Sequence, residues 1–185
     1  MLSQGTNHMN GRSTNVRKEV IMNQLEAIYL EVQPKMYAFF YARTLNHSVS
    51  EDLTQDVFYA AMKGIGRFAE DSTIETWLYS IAQNHLKKYY RSKRYRKNLE
   101  ENVKGNYQSS SKSPEELFLI NEEKSLLLDC IQTFDDLPKE IVSLRIFAEL
   151  SFKEIGQLVS KSENYVRVTF HRTKVKLQQE MEARK

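Results

Sequence analysis

Apolar residues recur along this chain at steps of three and four, the period of one helix face, and no useful stretch alternates with the period of a strand. In residues 20–45 the stripe is Ile21, Leu25, Ile28, Tyr29 and Val32, then Met36, Tyr37, Phe40 and Tyr41. Pro34 stands between the two halves, and its missing amide predicts a break or kink near Gln33. After a polar connection at 46–50, Leu53, Val57, Ala60, Ala61 and Ile65 form a second face. Ser48 with Glu51 reads as its capping box, and Gly64 and Gly66 as its end. A third face carries Ile74, Trp77, Leu78, Ile81, Ala82, Leu86 and Tyr89, with Ser72 and Glu75 as the capping box.

The period is lost after Lys97. Residues 98–113 hold Gly105, Asn106, Gln108 and a run of serines, the composition of a linker. Ser113, Pro114 and Glu116 then read as a helix start. The helix they open is acidic outside (Glu115, Glu116, Glu122, Glu123, Asp129) and apolar inside (Leu117, Ile120, Leu127, Ile131, Phe134). Leu137-Pro138 begins another, with Ile141, Val142, Leu144 and Ile146. Ser151 and Glu154 make a further capping box for a short helix on Ile155, Leu158 and Val159. Ser162 caps a longer one with Val166, Phe170, Thr173 and Leu177 on one side. Two short helices with a tight turn between them and a basic second member describe a helix-turn-helix, although a plain hairpin of core helices has the same spacing. The pattern predicts an all-α fold of two small helical domains. A flexible extension covers 1–20, an N-terminal helical bundle 21–97, a flexible linker 98–113, and a C-terminal domain with the helix-turn-helix 114–183.

Composition agrees: 185 residues, 41% hydrophobic, with only six glycines and three prolines, suit a packed helical protein. Net charge is a modest +3, but it is clustered. Residues 87–97 contain seven Lys/Arg and no carboxylate, with Tyr89, Tyr90 and Tyr95 interleaved. Basic side chains neutralise phosphates and flat rings stack on unpaired bases, so the stripe suits single-stranded nucleic acid. A solvated charged face with half-buried tyrosines fits the same residues. The basic side of the last helix (Arg167, His171, Arg172, Lys174, Lys176) suits the major groove of a duplex. Cys130 is the sole cysteine, so no intramolecular disulfide can form, which points to a reducing cytoplasm. No apolar run approaches the ~20 residues that cross a bilayer, and the chain is not read as a membrane protein.

Enzyme chemistry has nothing to stand on. The glycines form no phosphate loop, the four histidines have no cysteine or carboxylate at ligand spacing, and there is no nucleophile elbow. Glu51, Asp52 and Asp56 share a helix and read as an exposed polar face or, less simply, as metal ligands. The sequence thus predicts no catalytic residue, no metal site and no cofactor.

Two basic modules of different kind, joined by a linker, are what opening a promoter requires, and here the chain resembles the extracytoplasmic-function group of bacterial sigma factors. Four blocks in order carry the resemblance, which spans about residues 24–182: YLEVQPKMYAFFYARTL, SEDLTQDVF, RFAEDSTIETWLYSIAQN and LPKEIVSLRIFAELSFKEIGQLVSKSENYVRVTFHRTKVKL. The resemblance implies that Asp52, Leu53, Gln55, Asp56 and Phe58 bind the beta-prime clamp of core RNA polymerase, the apolar members supplying a buried contact. It implies that Phe68, Ser72, Thr73, Thr76, Trp77, Tyr79 and Asn84 hold the opened minus-ten strand, with the loop 68–73 forming a pocket for a flipped-out base. Lys87, Lys88, Arg91, Lys93 and Arg94 would hold backbone phosphates. Trp77 has a competing role as a core residue. Ser162, Tyr165, Arg167, Val168, His171 and Arg172 would face the minus-thirty-five groove, with Lys174 on a phosphate. Further partners implied are the polymerase beta flap, promoter DNA, and an anti-sigma factor, often membrane-anchored. The family's turn is usually Gly, an apolar residue, Ser; here it is Ser160, Lys161, Ser162, which leaves its tightness open. The other reading of these residues is a stand-alone helix-turn-helix regulator, which needs neither SEDLTQDVF nor the Trp77 helix.

Overall fold

The computed structural model describes the backbone of residues 7–102 and 122–184. It consists of α1 (Asn7–Thr44), α2 (His47–Gly64), a 3-10 turn (Ile65–Arg67), α3 (Ile74–Asn102), α4 (Glu122–Gln132), α5 (Asp136–Ile146), α6 (Phe152–Val159) and α7 (Glu163–Ala183). The described residues contain no strand. The fold class is therefore the one the apolar period predicts.

Several boundaries differ from expectation. α1 passes through Pro34 without ending. The proline leaves the Leu30 carbonyl without its helical donor, and Leu30 is 84% exposed, so water can serve that oxygen instead. α1 also reaches back to Asn7, within the stretch expected to be a flexible extension, and Arg17 pairs with Glu70 at 2.8 Å. Asn46, not Ser48, caps α2: its side chain accepts from the Val49 amide at 2.9 Å. At α3 it is Thr73 Oγ1, not Ser72, that accepts from an amide of the first turn, that of Thr76, at 3.1 Å. α3 runs on to Asn102, into the expected linker. The rest of that linker and the Ser113-Pro114-Glu116 start lie outside the described residues.

Met36, Phe39 and Phe40 of α1, Val57 and Ala61 of α2, and Leu78, Tyr79 and Ala82 of α3 fill the N-terminal bundle. The Phe39 ring meets Phe40 at 5.4 Å and Tyr79 edge-on at 5.6 Å. This core does not stop at the first bundle. Ile141 and Leu144 of α5, Ile155 of α6 and Val166 of α7 belong to the same cluster of buried side chains. Cys130, Ile131, Val142 and Leu177 form a smaller cluster inside the C-terminal bundle.

The helix-turn-helix has the capping predicted for it. Ser151 and Glu154 form a complete capping box on α6, and Ser162 Oγ accepts from the Tyr165 amide at 3.2 Å to cap α7. Ser160 adopts the left-handed conformation (φ 54°) where the family usually has glycine, so the turn is as tight without it. The tightness rests on Gly156. The Lys161 amide donates to the Gly156 carbonyl at 3.0 Å, and a Cβ on Gly156 would lie 2.7 Å from the Lys161 carbonyl oxygen. Gly156→Ala is expected to destabilise the chain by about 1–3 kcal/mol, because only backbone movement can relieve that clash. Urea unfolding followed by circular dichroism measures it.

Candidate nucleic-acid interface

The SEDLTQDVF block sits on α2 with its two kinds of residue on opposite sides. Asp52, Gln55 and Asp56 are exposed. Leu53 and Phe58 are buried in the core, Phe58 with its ring 4.8 Å from Tyr29. This corrects the expectation that the block's own apolar members face a partner. The apolar part of the open face comes instead from Tyr59 (55% exposed) and Met62 (47%), one and two turns further along. Lys63 lies over the Tyr59 ring at 4.3 Å. The sequence held this signal: Asp52, Gln55, Asp56, Tyr59, Met62 and Lys63 follow helical spacing on the side away from Leu53 and Val57.

The loop before α3 does form a cavity. Gln24, Ala27 and Ile28 of α1 and Phe68, Glu70, Ser72, Thr73 and Ile74 line an open space of about 460 Å³. Phe68 packs on Trp77 (ring centroids 5.2 Å apart) and is buried. Arg17 holds the rim through Glu70 and by donating to the Phe68 carbonyl at 3.4 Å. Trp77 is half-buried against the core, as its competing role required. Tyr79 is fully core at 1% exposure, which removes it from the surface where a strand could touch it. Burial pushes its phenol well above the ordinary value. Thr76 is also buried, and Thr73 is exposed.

Further along α3, Asn84, Lys87, Lys88, Arg91, Lys93 and Arg94 are exposed. All six line a groove of about 980 Å³ between α3 and the start of α5, to which Arg43, Lys139, Asp136 and Glu140 also contribute. Lys139 feels this field: burial, then the Arg43 guanidinium, lowers the pKa of its ammonium, against the pull of Asp136 and Asp135. The interleaved tyrosines divide. Tyr89 packs against the core, Tyr90 donates its hydroxyl to the Arg43 carbonyl, and Tyr95 stands 66% exposed. Tyr95 presents the most open ring and Tyr90 a partly exposed one on the groove, amid a chiefly basic surface.

On α7 the expected recognition residues are all exposed. Ser162, Tyr165, Val168 and Arg172 line one shallow depression with Asn164 and Thr169. Arg167 and His171 turn instead toward Phe152, at 5.7 and 6.0 Å, and Arg167 pairs with Glu163. Lys174 is exposed one turn beyond His171. The seven residues thus form two adjoining strips rather than one.

Sequence reasoning missed Glu154 as anything but a cap. Its Oε2 accepts from the Ser151 amide (2.8 Å) and hydroxyl (2.6 Å), while its Oε1 accepts from Thr73 Oγ1 (3.1 Å) and Thr76 Oγ1 (3.0 Å). Burial opposes its ionisation, but the hydrogen bonds from Ser151, Thr76 and Thr73 prevail and hold the carboxyl below its ordinary value. No signal in the sequence pairs residues 73 and 154.

The fold is thus a helical bundle with a basic surface on one long helix, together with a helix-turn-helix whose outer face is open. Residues 28–96 match the family model of sigma-70 region 2. The chain is 28% identical to the RNA polymerase sigma factor YlaC of Bacillus subtilis, over 86% of this chain and 92% of that relative. It is 26% identical to the ECF RNA polymerase sigma factor SigM of the same organism, over 79% and 88%. Its fold matches that of RpoE from Bartonella quintana, solved with the anti-sigma factor NepR, with a TM-score of 0.67 at 18% identity, covering 86% of this chain and 97% of that one. Residues 28–96 thus carry a sigma-70 region 2 domain, and over most of its length the chain is similar to sigma factors of the extracytoplasmic-function group. It is an alternative sigma factor that directs transcription initiation, and sigma factors are not enzymes.

Two outcomes follow from this geometry. Leu53→Ala is expected to cost about 2–4 kcal/mol of stability, as a core truncation does, while Gln55→Ala on the open side leaves the unfolding midpoint within error. The second concerns acid. A carboxyl whose folded pKa lies below its usual value of 4.5 contributes stability that is complete above that value and is lost as pH falls through the folded pKa. Thermal stability of the wild type should therefore fall more steeply below about pH 4.5 than that of Glu154→Ala, by scanning calorimetry across pH.

Proposed function

We propose that the chain binds core RNA polymerase through the exposed face of α2 and positions it on promoters through α3 and α7. The observation that carries this is the α2 face itself. Asp52, Gln55, Asp56, Tyr59 and Met62 are exposed, on the side of α2 away from the core. Acidic side chains around two open apolar groups suit a basic protein surface with an apolar centre, such as the polymerase clamp. A stand-alone repressor or activator needs no such face.

The loop cavity beside Phe68, Ser72 and Thr73 takes a flipped-out base of the minus-ten strand, with Thr76 and Asn84 further along α3. Lys87, Lys88, Arg91, Lys93 and Arg94 hold its phosphates. Ser162, Tyr165, Val168 and Arg172 read the minus-thirty-five duplex, Arg172 by donating to base edges and Val168 by touching thymine methyls. Arg167, His171 and Lys174 lie along the adjoining backbone. The C-terminal module also meets the beta flap. The chain acts in the cytoplasm, and an anti-sigma factor holds it inactive until a signal releases it. The fold relative solved with NepR supports that partner class.

Size-exclusion co-migration with core RNA polymerase, followed by run-off transcription from the gene's own upstream region, tests the reading. Co-migration with new transcript is expected. Specific binding of free duplex without polymerase binding would move the chain to the stand-alone regulators. Asp56→Arg should abolish co-migration while leaving duplex binding intact. Arg172→Ala should do the reverse, weakening promoter binding by about tenfold or more. Equal loss of both activities in either folded variant would overturn this division.

A further inference from the structure

The seam between the two bundles runs across residues assigned above to the opened strand. Thr73 and Thr76 lie at the N-terminal end of α3, and both hydroxyls donate to one oxygen of Glu154. The carboxylate is not a loose surface group. Its other oxygen is locked by Ser151 in the capping box of α6, which aims it at α3. It also lies at the N-terminal end of α3, where the helix dipole favours negative charge. Elsewhere on the seam, Lys35 pairs with Glu149 at 2.7 Å and Gln132 Nε2 donates to the Ala42 carbonyl at 2.5 Å. Beneath these contacts Ile141, Leu144 and Ile155 are fully buried in one cluster with α1 and α3. The recognition face of α7, by contrast, remains open.

We propose that Glu154 is an internal stand-in for the opened DNA strand. Its carboxylate occupies the two hydroxyls and the helix N-terminus that acceptor atoms of the strand would otherwise use. The closed chain is thereby shut to single-stranded DNA, while its duplex-reading face stays available. The inference rests on the assignment of Thr73 and Thr76 to the strand. Its consequence is quantitative: the apparent affinity for single strand is the intrinsic affinity reduced by the fraction of molecules that are open. Binding of the α2 face and the C-terminal module to separate places on polymerase would supply the energy that parts the seam.

The test measures fluorescence anisotropy of a labelled mixed-sequence single-stranded oligonucleotide with the full-length chain, beside X-ray scattering of each variant. Glu154→Ala is expected to bind about tenfold tighter than wild type, the worth of two charge-assisted hydrogen bonds in holding the seam shut. Ser151→Ala loses the hydroxyl but keeps the carboxylate and the bond it accepts from the residue 151 amide, so it controls for damage to the α6 cap and should change affinity much less than Glu154→Ala. Lys35→Ala/Gln132→Ala loosens the margin of the seam without touching α3 and removes a positive charge. A gain in DNA binding there, with a larger radius of gyration, can come only from unmasking. If that double variant expands and its affinity stays at the wild-type level, or if Glu154→Ala gains nothing, the masking is overturned. Run-off transcription with core polymerase separates the two ideas. Wild type that supports transcription while Glu154→Ala gains no single-strand affinity sinks the stand-in alone, and wild type that supports none sinks the sigma assignment of these sites.

Discussion

The arrangement depends on one apolar core shared by two bundles. Met36, Phe39, Phe40, Leu78 and Tyr79 fill the first, and Ile141, Leu144 and Ile155 close against the same cluster. Burial of this kind is non-directional and holds the bundles together without choosing a register. The register comes from polar contacts at the margin: Lys35 to Glu149, Gln132 to the Ala42 carbonyl, and Glu154 to the two threonines. Because these bonds lie near water, breaking them exposes groups that water can satisfy, so each adds little to strength and much to fit. A seam built this way opens as a unit when a partner offers more apolar area than it gives up.

Most of the fold was legible because helices announce themselves locally. The faces on Leu53, Val57 and Ala61, and on Leu78, Ala82 and Leu86, are buried as their spacing required, and the Ser151 and Ser162 caps are where the sequence put them. The misreadings have local causes too. Asn46 caps α2 because it stands in an extended conformation just before the first helical residue, whereas Ser48 lies inside the helix, and Pro34 stayed in α1 because the carbonyl it strands is on the wet side. The N-terminal stretch gave no apolar signal, yet its backbone continues the helix that Ile21 and Leu25 anchor.

The candidate site was legible in its parts and not in its assembly. Charge clusters marked α3 and α7, and α2 was marked by its block of carboxylates. Which side each residue faces was harder. Tyr79 fits the helix face of Trp77's neighbours as well as the core, and only the packing of Phe39 decides it. Tyr59 and Met62 were passed over because exposed apolar residues look like core until the rest of the helix is seen to be full. Glu154 and Thr73 are separated by most of a domain, and contact at that range leaves no mark on one sequence.

One more feature connects these places. α1 is a single rod that touches both ends of the machinery: Arg17 grips the rim of the loop cavity, and Lys35 grips Glu149 of the C-terminal bundle. Eighteen residues of helix, about 27 Å, separate the two grips. Pro34 sits immediately before the second, where its missing amide leaves the rod one internal bond short. α1 is therefore a lever with its weakest point beside the far load. Release of Glu149 frees a stiff arm whose other end is fixed to the loop cavity, so the C-terminal bundle and that cavity are mechanically in touch through one helix.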